Sequence, residues 1–109
     1  MANTFKLKSK ANVGVTTVGI YTSPASTTTV VIGITCANVS GGSINVGVGV
    51  SRGANGDDIS LLKNVPIPQG SSLEVMSGNK VVIQTADTVT AKSDVADSLD
   101  VALTIMEIT

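Results

Sequence analysis

Ile44-Asn45-Val46-Gly47-Val48-Gly49-Val50-Ser51 alternates a β-branched residue with a small or polar one over eight positions. Successive side chains of a strand point to opposite faces, so Ile44, Val46, Val48 and Val50 share one face, read here as core. Asn45, Gly47, Gly49 and Ser51 share the other. The simpler reading of the two glycines is a face that tolerates solvent; the alternative is a neighbouring backbone in close approach. Outward from this stretch the same residue types recur. Val, Ile and Thr dominate the chain, and their branched Cβ atoms lose rotamer freedom in a helix but pack well on a pleated surface. Alternation predicts strands near 3–8, 13–22, 28–39, 44–52, 58–63, 72–76, 80–85, 88–93 and 98–108. Eight to nine short strands at this spacing predict an all-β fold, an antiparallel β-sandwich of jelly-roll type. The expected organisation is a basic arm or edge strand over residues 1–12 and a single sandwich domain over 13–109.

Turn chemistry supports these boundaries. Ser23-Pro24-Ala25-Ser26 separates the second and third strands, and Ser40-Gly41-Gly42-Ser43 supplies positive-φ positions between the third and fourth. Ser77-Gly78-Asn79 reads as a hairpin turn between Leu73-Glu74-Val75-Met76 and Lys80-Val81-Val82-Ile83. Ala86-Asp87 reads as a second reversal, into Thr88. Pro66 and Pro68 each remove a ladder donor, so 65–70 is expected at a sheet edge or in a crossover that turns Ile67 inward. In the last strand Leu99, Val101, Leu103 and Ile105 share one side, while Ala102, Met106 and Ile108 share the other. Apolar residues on both sides imply a strand covered twice. In a two-layer fold the second cover is a loop or another subunit, which predicts a homo-oligomer, with a trimer favoured.

Composition excludes several classes of function. The 109 residues carry seven Lys plus Arg against eight Asp plus Glu, a net charge of -1, with 42% hydrophobic residues and 2% aromatic. That is enough apolar surface for one domain without staples, and too much for a disordered tail. Near-neutral charge and scarce aromatics argue against nucleic-acid binding. The start, with Lys6, Lys8 and Lys10 before an apolar middle, imitates a signal peptide, but Asn12, Gly14, Thr16, Thr17 and Gly19 break that middle and no cleavage is expected. No apolar run approaches the ~20 residues of a spanning helix, and no membrane partner is expected.

Reactive chemistry is sparse. There is no His, and the single cysteine, Cys36, sits inside the apolar run 30–39, where it reads as a small core hydrophobe. There is no phosphate-cradling glycine loop and no metal-ligand spacing of Cys or His. Asp94, Asp97 and Asp100 lack the spacing of a calcium loop and read as a solvated face, and Asn55-Gly56-Asp57-Asp58 reads as a turn. Nothing pairs Glu74 with Glu107 as acid and base. No catalytic, metal-binding or cofactor-binding residue is assigned; no cofactor is expected, and the protein is expected not to be an enzyme.

Charge is unevenly placed. Residues 1–56 hold four cations and no acid; residues 57–109 hold three cations and all eight acids, so the halves carry +4 and -5. Lys6, Lys8 and Lys10 share a parity and form one basic row, with Phe5 and Leu7 pointing the other way. One reading is a charged edge strand that discourages sheet-to-sheet association; the other is an arm that docks on an acidic partner surface. Phe5, Lys6, Lys8, Lys10 and Ile108 are the candidate interaction residues.

Four segments carry a resemblance: Asn64-Val65-Pro66-Ile67-Pro68-Gln69-Gly70-Ser71-Ser72-Leu73-Glu74-Val75; Lys80-Val81-Val82-Ile83 with Asp87; Val50-Ser51-Arg52-Gly53; and the ending from Ser98-Leu99-Asp100-Val101 to Glu107-Ile108-Thr109. Together they resemble small virion structural proteins of tailed bacteriophages. The resemblance implies a β-sandwich used in many copies on the particle, assembled in the host cytoplasm. Its place would be capsid decoration (cement) bridging capsomers, or the neck, tail fibre or baseplate. The partners it implies are the chain itself and the major capsid protein or other virion proteins. A carbohydrate- or receptor-binding module is a further alternative, for which Tyr21 and Phe5 would be the stacking aromatics.

Overall fold

The computed structural model describes residues 3–76 and 80–109. Nine strands are present among them: β1 (Asn3–Val13), β2 (Val18–Thr22), β3 (Thr28–Asn38), β4 (Ile44–Ser51), β5 (Ile59–Ile67), β6 (Ser72–Glu74), β7 (Val81–Ile83), β8 (Thr88–Ser93) and β9 (Leu99–Ile108), with one 3-10 turn at Gly53–Asn55. They form two antiparallel sheets. The first runs β1-β9-β3-β6, with β7 also on β3; the second runs β2-β8-β4-β5.

The Ser77–Asn79 turn expected between β6 and β7 lies outside the described residues, but the strands beside it decide the pairing. β6 pairs with Thr35–Ala37 of β3 and β7 with Thr29–Val31 of the same strand, both antiparallel. They are therefore two halves of one interrupted edge strand and do not form a hairpin with each other. Counted as one, they leave eight strands in two sheets of four, in orders 1-8-3-6 and 2-7-4-5, which is the jelly-roll arrangement. Ala86-Asp87 likewise joins β7 in one sheet to β8 in the other. The expected strand over 13–22 is split by residues 14–17, where the chain leaves the first sheet for the second.

Both inner faces are built from the alternation read in the sequence. Ile44, Val46, Val48 and Val50 of β4 are 1–3% exposed, and Leu99, Val101, Leu103 and Ile105 of β9 are 0–2% exposed. At roughly 2 kcal/mol for each large aliphatic side chain removed from water, these two rows supply a major part of the force that closes the sandwich. Ile67 is buried, as expected, and Pro66 is accommodated opposite Asn45 because β5 is an edge strand that need not donate outward.

Two details depart from the sequence reading. Gly41 and Gly42 do not adopt positive φ; that conformation is taken by Gly53, Gly56 and Gly70, and by Asn12, Ser26, Asn64, Ala86 and Asp97. The turn at 40–43 is held instead by Asn38, whose Nδ2 donates to the carbonyls of Gly42 and Ile67 while its Oδ1 accepts from the Ser40 amide and hydroxyl. Gly49 is the closely approached glycine and not a merely solvent-tolerant one. A Cβ there would lie 2.6 Å from the Ile59 carbonyl oxygen, whereas at Gly47 the nearest atom, the Leu62 carbonyl oxygen, would be at 3.6 Å.

Candidate functional site

Register decides which way β1 presents its side chains. Directly paired residues of antiparallel strands point to the same side. Lys6, Lys8 and Lys10 pair with Ile105, Leu103 and Val101, all core residues, so the basic row lies on the inner side of the sheet, where β1 overhangs the second layer. Phe5 pairs with Met106 and Leu7 with Thr104, on the outer side. The candidate interaction residues are thus divided: Phe5 and Ile108 stand on the outer face, the three lysines behind it.

On the inner side, Lys6 has a partner within its own chain. Its Nζ lies 2.8 Å from Glu107 Oε1, and Glu107 Oε2 accepts a 2.5 Å hydrogen bond from the Tyr21 hydroxyl. Tyr21 also contacts Thr29 Oγ1, which in turn meets Ser23 Oγ. Glu107 is 7% exposed. The bonds from Lys6 and Tyr21 favour its ionised form and hold its carboxyl below the usual value, outweighing the cost of burial. Burial, joined by the hydrogen bond to Glu107, pushes the Tyr21 hydroxyl up. Sequence reasoning missed this network, although one signal was present: Glu107 has the parity of Leu99 to Ile105, which places an acid on the core face. Lys8 stands over the Tyr21 ring, 6.0 Å from its centroid. Tyr21 is therefore a buried structural side chain and offers no open ring for a sugar to stack on, which removes one of the two aromatics the carbohydrate reading needed.

A second polar cluster closes the same end of the sandwich. Asp87 is fully buried; its carboxylate accepts from Arg52 Nε at 3.2 Å, Asn55 Nδ2 at 2.8 Å and the Gln84 amide at 2.9 Å. Burial raises the Asp87 pKa, but the bonds from Asn55 and Gln84 and the Arg52 charge outweigh it and hold the carboxyl below its usual value. The remaining acids do not converge. Asp94 holds Asn45, Asp100 caps the Asn12 amide, and no group of three potential metal ligands is found among the described residues. Cys36 is fully buried, and burial, with the Glu74 charge, pushes its thiol up to about 11, so it is protonated and enclosed.

The outer face of the first sheet is different. One row crosses it through Phe5, Met106, Val30 and Val82, successive partners on β1, β9, β3 and β7. Phe5 is 69% exposed, Val82 61%, and Leu7 on the next row 68%. Ile108 pairs with Asn3 and Thr28 on the row beyond. Towards the other end the face is made of small residues. Ser9, Ala11, Ala102, Thr35, Ala37 and Asp100, with Lys10 and Val101, line a shallow depression of about 260 Å³. This is a sheet face with apolar side chains on both of its sides and, among the described residues, no second layer over the outer one.

The scaffold is a jelly roll whose buried polar groups bind one another, and whose distinctive surface is an uncovered apolar sheet face. No protein-family model matches the sequence, and no curated protein matches it. Solved structures do. A Bacillus endospore appendage, from a family of disulfide-linked pili, aligns at 18% identity over 99% of this chain and 87% of its own, with a TM-score of 0.61, so the two share a fold. Two structures of a pentameric capsid protein isolated from metagenomic phage sequences align at 18% identity over 94% of this chain and 63% and 59% of theirs. Their TM-score of 0.38 is too low to argue a common fold.

Proposed function

We propose that this chain is a non-enzymatic structural protein of a bacteriophage virion, and specifically a capsid decoration (cement) protein that bridges neighbouring capsomers and stabilises the shell. The observation that carries the reading is the uncovered apolar face of the first sheet, on a fold whose buried acids, Glu107 and Asp87, are bonded within their own chain. Such a molecule has contact surface to offer and little chemistry. The resemblance of the 64–75, 80–83 and 98–109 segments to virion proteins supports the same reading, and the major capsid protein is the partner it names. Homo-oligomerisation belongs to it, with the trimer expected from the sequence as one form. A neck, tail-fibre or baseplate adaptor is the same molecule in few copies.

Copy number separates these roles: hundreds per particle by quantitative mass spectrometry mean decoration, and a few dozen or fewer mean neck or tail. Shells prepared with and without the protein test the cement role directly. Equal thermal and mechanical stability, with imaging that places the protein off the shell, would overturn it. A second reading, as a filament subunit, is favoured by the full-length likeness to the pilus protein. Because Cys36 is enclosed, such a filament would be held non-covalently, and it would appear as fibres of this chain without particles.

A further inference from the structure

The outer face of the first sheet has a large end and a small end, and the two are arranged about a centre. Phe5, Met106, Val30 and Val82 form the large row. The next row is Leu7, Thr104 and Gly33, and the one after it is Ser9, Ala102, Thr35 and, on β6, Glu74, with the depression beside its β1 end. The middle row therefore lies midway between the large row and the row that borders the hollow. We propose that this face docks a second copy of itself, about a two-fold axis that lies between the facing sheets and runs across the strands along the Leu7-Thr104-Gly33 row.

That operation turns the strands of one copy antiparallel to those of the other and carries the large row of each onto the small row of its partner. Phe5 then faces the partner's Ser9, Met106 the partner's Ala102, and Leu7 meets its own copy on the axis. The alternative two-fold, along the strands, sets large against large and leaves both hollows empty. Packing at interior density disfavours such voids. An isologous contact of this kind closes with two copies, unlike the trimer expected from the sequence.

Size and charge agree with this occupant. Four strands at ~4.8 Å and about ten residues at ~3.4 Å give a flat projection of roughly 650 Å². Side-chain relief brings that near the ~800 Å² per partner of a stable interface. The face is uncharged around its large row. Its two acids are already bonded within the chain, Glu74 to the Ile34 amide and Thr35 hydroxyl, Asp100 to the Asn12 amide. The crossing sets Glu74 opposite the partner's Val82 and Asp100 opposite the partner's Ile108, so no acid meets an acid. The pairing does not depend on where in a particle the protein sits; copy number decides that question and solution assembly decides this one.

Sedimentation velocity of the purified chain is expected to show a species of twice the 11.0 kDa chain mass. Phe5→Asp is expected to weaken the pair by roughly thirtyfold or more, as for an aromatic hot-spot contact, while the separated chain keeps its circular-dichroism spectrum and cooperative unfolding because Phe5 is mostly exposed. Register is read with single cysteines and a short bis-maleimide. Leu7→Cys is expected to cross-link to its own copy and Phe5→Cys not to, while enclosed Cys36 stays silent. A wild-type monomer, a Phe5→Asp variant that still pairs, or cross-linking at Phe5→Cys but not at Leu7→Cys would each overturn the proposal. A folded variant that loses the pair, together with cross-linking at Leu7→Cys alone, supports it.

Discussion

Gly47 and Gly49 occupy the same face of the same strand two residues apart, and the structure separates their fates. Neither requires positive φ, so alanine is conformationally admissible at both and only space differs. At Gly49 the new Cβ would stand 2.6 Å from the Ile59 carbonyl oxygen; ordinary contact begins at 3.4 Å, leaving a deficit of 0.8 Å that falls on backbone. No side-chain rotamer can relieve it. β5 must step away from β4, which strains the ladder beside the register shift between Val48 and Gly49. Forced overpacking of this kind costs ~1–3 kcal/mol, so Gly49→Ala is expected to destabilise by about 2 kcal/mol. For a domain of this size that lowers the melting temperature by roughly 8–16 °C. Gly47→Ala meets only ordinary contact at 3.6 Å and restricts the unfolded chain, so it is expected to be neutral or stabilising by up to ~1 kcal/mol. Urea unfolding of both variants, followed by circular dichroism, gives the comparison. Equal stability of the two would refute the argument that the approach of β5 is what demands glycine at position 49.

Three further perturbations test the buried groups. Lys6→Met removes the charge facing Glu107; because the lysine is 42% exposed, water screens the pair, and the expected loss is only about 1 kcal/mol at neutral pH. Glu107 has its folded pKa below the ordinary 4.5, so its contribution is complete above that value and fades as pH falls through the folded pKa. The stability gap between wild type and Lys6→Met should therefore close under acid; a gap that widens below pH 4.5 contradicts the assignment. Asp87→Ala leaves Arg52, Asn55 and the Gln84 amide without their acceptor and is expected to cost ~2–4 kcal/mol, read as a drop in urea midpoint; a loss below about 0.5 kcal/mol would show the cluster to be dispensable. Cys36 should react with a thiol reagent only at the rate of global unfolding, and reaction of the native protein at the rate of a free thiol would contradict its burial.

Much of the layer architecture is legible in the sequence because period-two alternation is a local signal. The valines of β4 and the leucine-valine-isoleucine row of β9 identify their buried sides without any knowledge of neighbours. Strand order is not local. The residues around 77–79 carry good turn chemistry, yet β6 and β7 both spend their hydrogen bonds on β3, a choice made by a partner about 35 to 55 residues away. The lysine row shows the same limit: parity puts Lys6, Lys8 and Lys10 together, but only their register against Val101, Leu103 and Ile105 shows that they face inward. Phe5 and Ile108, both on the outer face, become part of one surface only when β1 and β9 are laid side by side.

The pairing of Asn3 with Ile108 also has a consequence for synthesis. β9 lies between β1 and β3, so the first sheet lacks its middle until about a hundred residues after β1 have been made. Until then β1 has no ladder partner and β3 lacks its neighbour on one side. Loop closure over that span is slow compared with local helix or hairpin formation, so nascent chains wait with open strand edges. Three lysines on alternate positions of the waiting strand repel one another's copies during that interval. The same row that supplies Lys6 to Glu107 in the finished molecule thus guards the unfinished one, and neutralising it should lower the yield of folded protein more than it lowers the stability of what does fold.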